Sequence, residues 1–314
     1  MTVVHPRALR PGATIGIVAP AGPNSEEKLQ AGMAYLQRRG YRTVVGTHVR
    51  DTYGYLAGAD IARAADINEM FGRDDIDAII CSRGGYGAMR LLPFLDYQCI
   101  RANPKLFMGY SDITSLHLAF WKEALLATFY GPMVSIDITD HMRPLVEQTM
   151  WHLLTEPSFS GELLYDRSSN DARVLSPGIR EEILVGGCMT LVEALLGTPW
   201  QLDCTGRILF LEDVDEEWHD IDRMLAHLTL AGVFRDAAAV VMGEIVNVHN
   251  SDESRPSLHL AELYHDYLSG LGKPVLVDFP SGHGQDITPL PLGCAVRLDA
   301  SAASIRLVEA ATTA

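Results

Sequence analysis

Four short segments place residue types that could do covalent chemistry. In Met108-Gly109-Tyr110-Ser111-Asp112 an apolar run ends at Met108 and a helical pattern begins directly after Ser111. This is the strand-turn-helix setting of a nucleophile elbow. A serine there projects its Oγ above the sheet edge, and the helix N-terminus behind it offers N–H groups to a developing negative charge. Gly109 supplies permissive backbone to the turn. The segment is not Gly-x-Ser-x-Gly, and Ser111 equally suits the N-cap of the helix that follows. The second segment, Ser82-Arg83-Gly84-Gly85-Tyr86-Gly87, puts three glycines in four positions after another apolar run. Such a loop brings backbone amides close to a phosphate or an oxyanion, and it also serves as an ordinary tight turn. It is not GxGxxG, and no Walker lysine follows it.

The third segment, Arg207-Ile208-Leu209-Phe210-Leu211-Glu212-Asp213, is an apolar strand ending in two acids. Strand-end acids usually face solvent, but a rigid strand end is also where an acid that orients a histidine would stand. The residues alone do not choose between Glu212 and Asp213. In the fourth, Phe279-Pro280-Ser281-Gly282-His283-Gly284-Gln285, a loop histidine stands between two glycines that leave it free to reach a site. His259 and His265 are six apart, which is not the i, i+4 spacing of a helical metal pair, and no metal site is assigned. Together the segments supply a nucleophile, an oxyanion hole, an acid and a base, in the order Ser, acid, His, which triad chemistry permits.

These residues need a scaffold, and the first half of the chain reads as alternating strands and helices. Strands are expected at Thr14–Ala19, Thr43–Val45, Asp77–Cys81, Leu106–Met108 and Ala127–Tyr130. Helices are expected from Asn24 or Ser25 to Gly40, with Asn24 and Glu27 spaced as a capping box, over Asp60–Phe71, from Ala88, and over Asp112–Lys122. The βαβα order predicts a parallel sheet covered on both faces, with ligand-binding loops along its carboxyl edge. Residues 157–180, rich in Pro, Ser and Gly and including Ser169 and Asn170, read as a linker between a domain of residues 1–156 and one of 181–314. The second domain, with helices near Met189–Leu196, Ile221–Ala231 and Ser257–Leu268 and closely spaced late strands, predicts a smaller α+β unit with a mixed sheet. The fold class is therefore α/β with an α+β companion.

Composition narrows the function. The 314 residues carry 25 Lys and Arg against 40 Asp and Glu, a formal charge of −15, which argues against nucleic acid as a partner. The five cysteines form no CxxC pair and read as reduced thiols of a cytoplasmic protein. No apolar run reaches the roughly 18 residues of a membrane span. Arg7 and Arg10 precede an apolar stretch, but Pro11, Gly12 and Pro20 interrupt it, unlike a signal peptide. A dinucleotide oxidoreductase is excluded by the missing GxGxxG after the first strand and the missing acid after the second.

These motifs, with Ile17–Gly22, Gly186-Gly187, Leu195–Pro199, Ile221–Leu225 and Pro289–Gly293, resemble the LD-carboxypeptidase family of serine peptidases over most of the chain. The resemblance implies a flavodoxin-like N-terminal domain bearing the nucleophile, and a C-terminal domain bearing acid and base across an interdomain cleft. It implies a Ser111, Glu212, His283 triad, an oxyanion hole from the Gly85 and Asp112 backbones, no cofactor or metal, and a cytoplasmic homodimer. The implied substrate is a small peptide, a murein tetrapeptide cut before its terminal D-amino acid. Two departures bear on substrate. Cys188 stands where the family has Asn, and His219-Asp220 where it has Tyr-Arg. A carboxylate-ended substrate then needs another cation, Arg83 or Arg223. A branch resembling microcin C self-immunity peptidases cleaves aminoacyl-nucleotide toxins. Trp218, which could stack on a base or simply pack, makes that the alternative reading.

Overall fold

Short apolar runs closed by glycine or proline become strands buried along their whole length in the computed structural model, which describes residues 2–168, 172–252, 254 and 256–314. In chain order the first half forms β1 (Thr14–Val18), α1 (Glu26–Arg38), β2 (Arg42–Val45), α2 (Asp60–Gly72), β3 (Ala78–Cys81), α3 (Tyr97–Ala102), β4 (Leu106–Gly109), α4 (Thr114–Ala124), β5 (Thr128–Tyr130) and α5 (Pro144–Thr155). The second half forms β6 (Arg173–Ser176), β7 (Ile179–Cys188), α6 (Met189–Ala194), β8 (Ile208–Val214), α7 (Trp218–Leu230), α8 (Val233–Asp236), β9 (Ala239–Val246), α9 (Leu260–Leu268), β10 (Val275–Phe279), β11 (Leu290–Leu292), β12 (Ala295–Asp299) and β13 (Ser304–Leu307).

The first sheet has the order β11-β5-β4-β3-β1-β2, with β1 to β5 parallel and β11 antiparallel at the edge. The 2-1-3-4-5 order is the flavodoxin-like one, and its switch point lies between β1 and β3. Every residue of β1, β3, β4 and β5 is buried, as a parallel sheet covered on both faces requires. Phe71 of α2, Phe107 of β4 and Phe120 of α4 pack edge-on and offset at 4.8–6.3 Å between ring centres. That cluster, worth roughly 0.5–1.5 kcal/mol per ring pair beyond burial, fixes the strand that leads into Ser111. The second sheet is mixed, in the order β13-β12-β7-β8-β9-β10-β6, with β7 to β10 parallel.

The chain divides into two units at other places than expected. One holds residues 1–159, 289–294 and 309–314; the other holds 160–288 and 295–308. Leu290–Leu292 leaves the second half to pair with β5, placing Pro291 on an edge strand where its missing N–H costs no ladder bond. The residues expected as a linker include β6, which pairs with β10, and Leu163, whose N–H donates to Ile305. A short, half-exposed edge strand carries no apolar alternation to read. Ser169 and Asn170 of that segment lie outside the described residues. Three local expectations also change. Ser25, not Asn24, caps α1 by accepting from the Lys28 N–H, and Asn24 instead donates to the Val49 carbonyl. Residues Ala88–Phe94, which contain Pro93, form a 3-10 helix, not an α-helix. The helix expected from Asp112 opens as a 3-10 turn, Ser111–Ile113, before α4.

Candidate active site

The turn that carries Ser111 is built from the end of β4. Tyr110 is extended, and Ser111 then turns left-handed at φ 64°. A non-glycine residue there is strained and persists only where its surroundings over-determine it. Three contacts supply that constraint. The Ser111 N–H donates to Tyr130 Oη at 3.1 Å. The Gly109 carbonyl meets His117 Nε2 at 2.8 Å. The turn also rests on Gly84, whose missing Cβ would lie 2.9 Å from Ser111 Cβ and 3.1 Å from its Oγ. Ser111 is thus held as in an elbow, with no side-chain cap for the helix behind it. Gly109 has a different role from the one expected. It is not left-handed; a Cβ there would come within 3.1 Å of Ile113 and Cys81.

The glycine-rich loop sits beside this turn. Gly85 and Gly87 are left-handed at φ 121° and 120°, conformations that only glycine adopts freely. The Gly84 carbonyl accepts from the Gly22 N–H at 3.1 Å, and the Ala88 N–H donates to Asp112 Oδ2 at 2.7 Å. Asp112 therefore has a side-chain role besides its backbone N–H, which lies in a first helical turn where intrahelical acceptors are lacking. Burial pushes its carboxyl up to about 6, partly opposed by the Ala88 N–H and the Arg63 charge. Arg83 is half-buried, with Nε donating to the Gly84 carbonyl and Nη1 to the Pro23 carbonyl, each at 3.2 Å.

Two residues here left no mark in the sequence. Arg63 on α2 is buried and donates to the carbonyls of Gly58, Pro20 and Gly87, tying together the loops after β1, β2 and β3. His117 on α4 is buried between the Gly109 carbonyl and Thr128 Oγ1, and burial pushes it down to about 4, so it is neutral at pH 7. Neither could be found from sequence, since an arginine or a histidine inside a helical pattern has no spacing that marks it.

The second unit brings Glu212 and His283 together. Glu212, fully buried on β8, accepts from His283 Nδ1 at 2.7 Å, and the histidine side chain is 16% exposed. This bond leaves Nε2 as the nitrogen for proton exchange. Asp213, next along the strand, turns to α6 and accepts from the Thr190 N–H and Oγ1 at 2.9 and 2.8 Å. Burial and the Glu212 charge push its carboxyl up to about 6. Geometry therefore separates the two acids. Cys188 is paired in register with Glu212, is buried, and lies 3.7 Å from Asp213 Oδ1; burial pushes its thiol up.

The glycines around His283 are contacts, not hinges. A Cβ on Gly282 would fall 2.6 Å from Glu212 Oε2, and one on Gly284 would fall 1.8 Å from Glu244 Oε2. The histidine is thus bracketed by two glycines seated on carboxyl groups from β8 and β9. Burial, then Asp286, Asp278 and Glu212, push Glu244 up to about 7.

The remaining candidates lie on the surface of α7. Arg223 is 64% exposed and paired with Asp220, and His219 stands between Glu217 and Asp220. Trp218 packs edge-on against His259 at 4.7 Å, with the rings 86° apart. Among the described residues no group of three or more His, Cys, Asp or Glu gathers as metal ligands, and no helix is long and apolar enough to cross a membrane.

Comparison with known proteins agrees with this layout. A model of the LD-carboxypeptidase N-terminal domain matches residues 15–131, and one of the C-terminal domain matches residues 181–298. A probable murein peptide carboxypeptidase of Bacillus subtilis is 37% identical over 306 residues, covering 97% of this chain and 94% of its own. The microcin C7 self-immunity protein MccF of Escherichia coli is 32% identical over 339 residues, covering 97% and 96%. The crystal structure of a muramoyltetrapeptide carboxypeptidase from Oxalobacter formigenes superposes with a TM-score of 0.81 at 30% identity, covering 94% of this chain and 98% of that one.

Proposed function

The chain belongs to the LD-carboxypeptidase family of serine peptidases, and on that premise we propose that it removes the terminal D-amino acid from murein tetrapeptides with Ser111, Glu212 and His283 as its triad. The observation that carries this reading is the strained left-handed Ser111, held against Gly84 at the end of β4. Strain of that kind, in a non-glycine residue facing a glycine-rich loop, suits a nucleophile better than a helix cap.

The steps follow from the residues. His283, with Nδ1 committed to Glu212, takes the Ser111 proton through Nε2 as Oγ attacks the scissile carbonyl. Glu212 holds the tautomer and stabilises the imidazolium. The Asp112 and Gly85 N–H groups receive the oxyanion. The imidazolium protonates the leaving amine, and water then hydrolyses the acyl-enzyme with His283 again as base. Release of D-alanine from L-Ala-γ-D-Glu-meso-diaminopimelate-D-Ala tests the reading. Loss of ~10⁴- to 10⁶-fold in kcat is expected for Ser111→Ala. Equal release by both proteins, or none by the native protein, refutes it.

The full-length similarity to MccF supports a second reading, cleavage of aminoacyl-nucleotide toxins. The Trp218 ring that would stack on a base is instead packed on His259. Hydrolysis of an aminoacyl sulfamoyl adenosine by a preparation silent on the tetrapeptide would promote that reading. The proposal includes a cytoplasmic homodimer; that the five cysteines form no disulfide supports the location. Light scattering tests the mass.

A further inference from the structure

The strand order β2-β1-β3 makes a crevice where the loops after β1 and β3 diverge, the place where open parallel sheets bind ligands. Here the crevice is a hollow of about 550 Å³ lined by Gly22 and Pro23 from the loop after β1, Tyr55 from the one after β2, and Arg83, Gly85 and Tyr86 from the one after β3. It adjoins the nucleophile, because Gly84 separates two of its lining residues and touches Ser111.

The cation in this hollow is unlike many arginines of the same unit. Arg38, Arg39, Arg50, Arg63, Arg73 and Arg90 each meet an Asp or Glu. Arg83 meets only carbonyls, through Nε and Nη1, and among the described residues no carboxylate lies within 4.0 Å of it and Nη2 has no acceptor. Two carbonyl bonds fix the guanidinium plane while leaving charge and donors unspent, as carboxylate recognition requires. The walls are Tyr55 and Tyr86, 68% and 48% exposed, with their rings 5.7 Å apart edge-to-face. Exposed paired aromatics beside an arginine offer apolar surface for a small side chain next to an anion. Arg223, the other candidate cation, is already paired with Asp220 on an exposed helix face.

We infer that the switch-point hollow is the subsite for the C-terminal residue of the substrate. Arg83 binds its free α-carboxylate, and Tyr55 and Tyr86 flank its side chain. The inference rests on the carboxypeptidase reading and names the feature that makes the enzyme act at a chain end.

The test is equilibrium binding, with no turnover needed. Protein carrying Ser111→Ala is titrated calorimetrically with the tetrapeptide acid and with its C-terminal amide. The acid is expected to bind about 10- to 100-fold more tightly, the weight of charge-assisted hydrogen bonds. Adding Arg83→Gln should bring the acid-to-amide ratio close to one. Equal binding of acid and amide before that change, binding of neither, or a ratio unmoved by Arg83→Gln overturns the inference. Should Arg83→Gln fail to fold, Arg83→Lys decides: a retained preference for the acid supports the subsite, and a ratio of one removes it. D-alanine release by the native protein is scored separately. Release with a flat ratio sinks the subsite and leaves the peptidase. A steep ratio without release does the reverse.

Discussion

Two adjacent acids at the end of one strand give the sharpest test of how this site is divided. Glu212→Gln preserves shape at a fully buried position but removes the charge facing His283 Nδ1 across 2.7 Å. The amide either presents its NH₂ to Nδ1 and selects the wrong tautomer, or presents oxygen without the charge that stabilises an imidazolium. Loss of the orienting acid costs ~10⁴-fold in kcat in serine triads, or ~5.4 kcal/mol of transition-state stabilisation. Asp213→Asn should behave in the opposite way. The Asp213 oxygens face donors throughout: the Thr190 N–H and Oγ1, the Val214 N–H at 2.9 Å, and the Cys188 thiol. An amide NH₂ there meets another donor, which costs ~1–3 kcal/mol of folding free energy. At ~2–4 °C per kcal/mol, Tm should fall by several degrees while kcat stays within tenfold. Both variants are measured by D-alanine release and by calorimetric melting. An Asp213→Asn protein as inactive as Glu212→Gln, or a Glu212→Gln protein within tenfold of native, refutes the division of roles.

Three further outcomes follow from the same contacts. Gly84→Ala places a methyl 2.9 Å from Ser111 Cβ. It should cut D-alanine release by ~100-fold or more and slow labelling by a fluorophosphonate, and native rates would show that the loop does not support the nucleophile. Asp112, raised from 3.8 to about 6 mainly by burial, is favoured in its protonated form by folding. This group's contribution to stability is therefore fully present at low pH and declines as pH rises from about 4 to 6, by at most ~3 kcal/mol. Asp112→Asn should flatten that stretch of a urea-unfolding series, and an unchanged slope refutes the assignment. His117→Phe removes the partner of Thr128 Oγ1 and leaves the Gly109 carbonyl only the Gly131 N–H at 3.2 Å. It should destabilise the protein by ~1–3 kcal/mol and also lower kcat, because Gly109 opens the Ser111 turn. A melting loss with kcat intact would confine His117 to stability.

What could be read from the sequence were runs and punctuation. Ile15–Val18, Ala78–Cys81 and Leu106–Met108 carry no polar side chain larger than a thiol because both sheet faces are covered, so the parallel strands of the first sheet were legible almost residue by residue. Leu290–Leu292 was not: three residues containing a proline have neither length nor alternation, and their pairing with β5 is a long-range fact. β6 hid in the same way among serines and glycines. In the site, Ser111 and His283 stood out by their neighbours, whereas the choice of Glu212 over Asp213 depends on which side of β8 faces the histidine loop. Arg63 and His117 were hidden because most of their partners are backbone carbonyls, which every residue carries, and the Thr128 hydroxyl of His117 is a long-range one.

One rule accounts for where the proposed site residues sit in each unit. Ser111 follows β4, Arg83 follows β3, Glu212 lies near the end of β8, and His283 comes just beyond β10. All stand at carboxyl ends of parallel strands, where chain direction gathers the loops of a βαβ sheet. The glycines beside them act as spacers. Gly84 admits Ser111, Gly282 admits Glu212 and Gly284 admits Glu244, each at a distance no side chain could share. Glycine next to a reactive residue is easily read as freedom to move. Here it does the reverse: without a Cβ the backbone closes onto the neighbouring side chain, and the reactive group is held in place by contact on both flanks. The left-handed Ser111 is the expected counterpart, since a residue pressed against Gly84 and bonded to Tyr130 cannot relax into an ordinary helix cap.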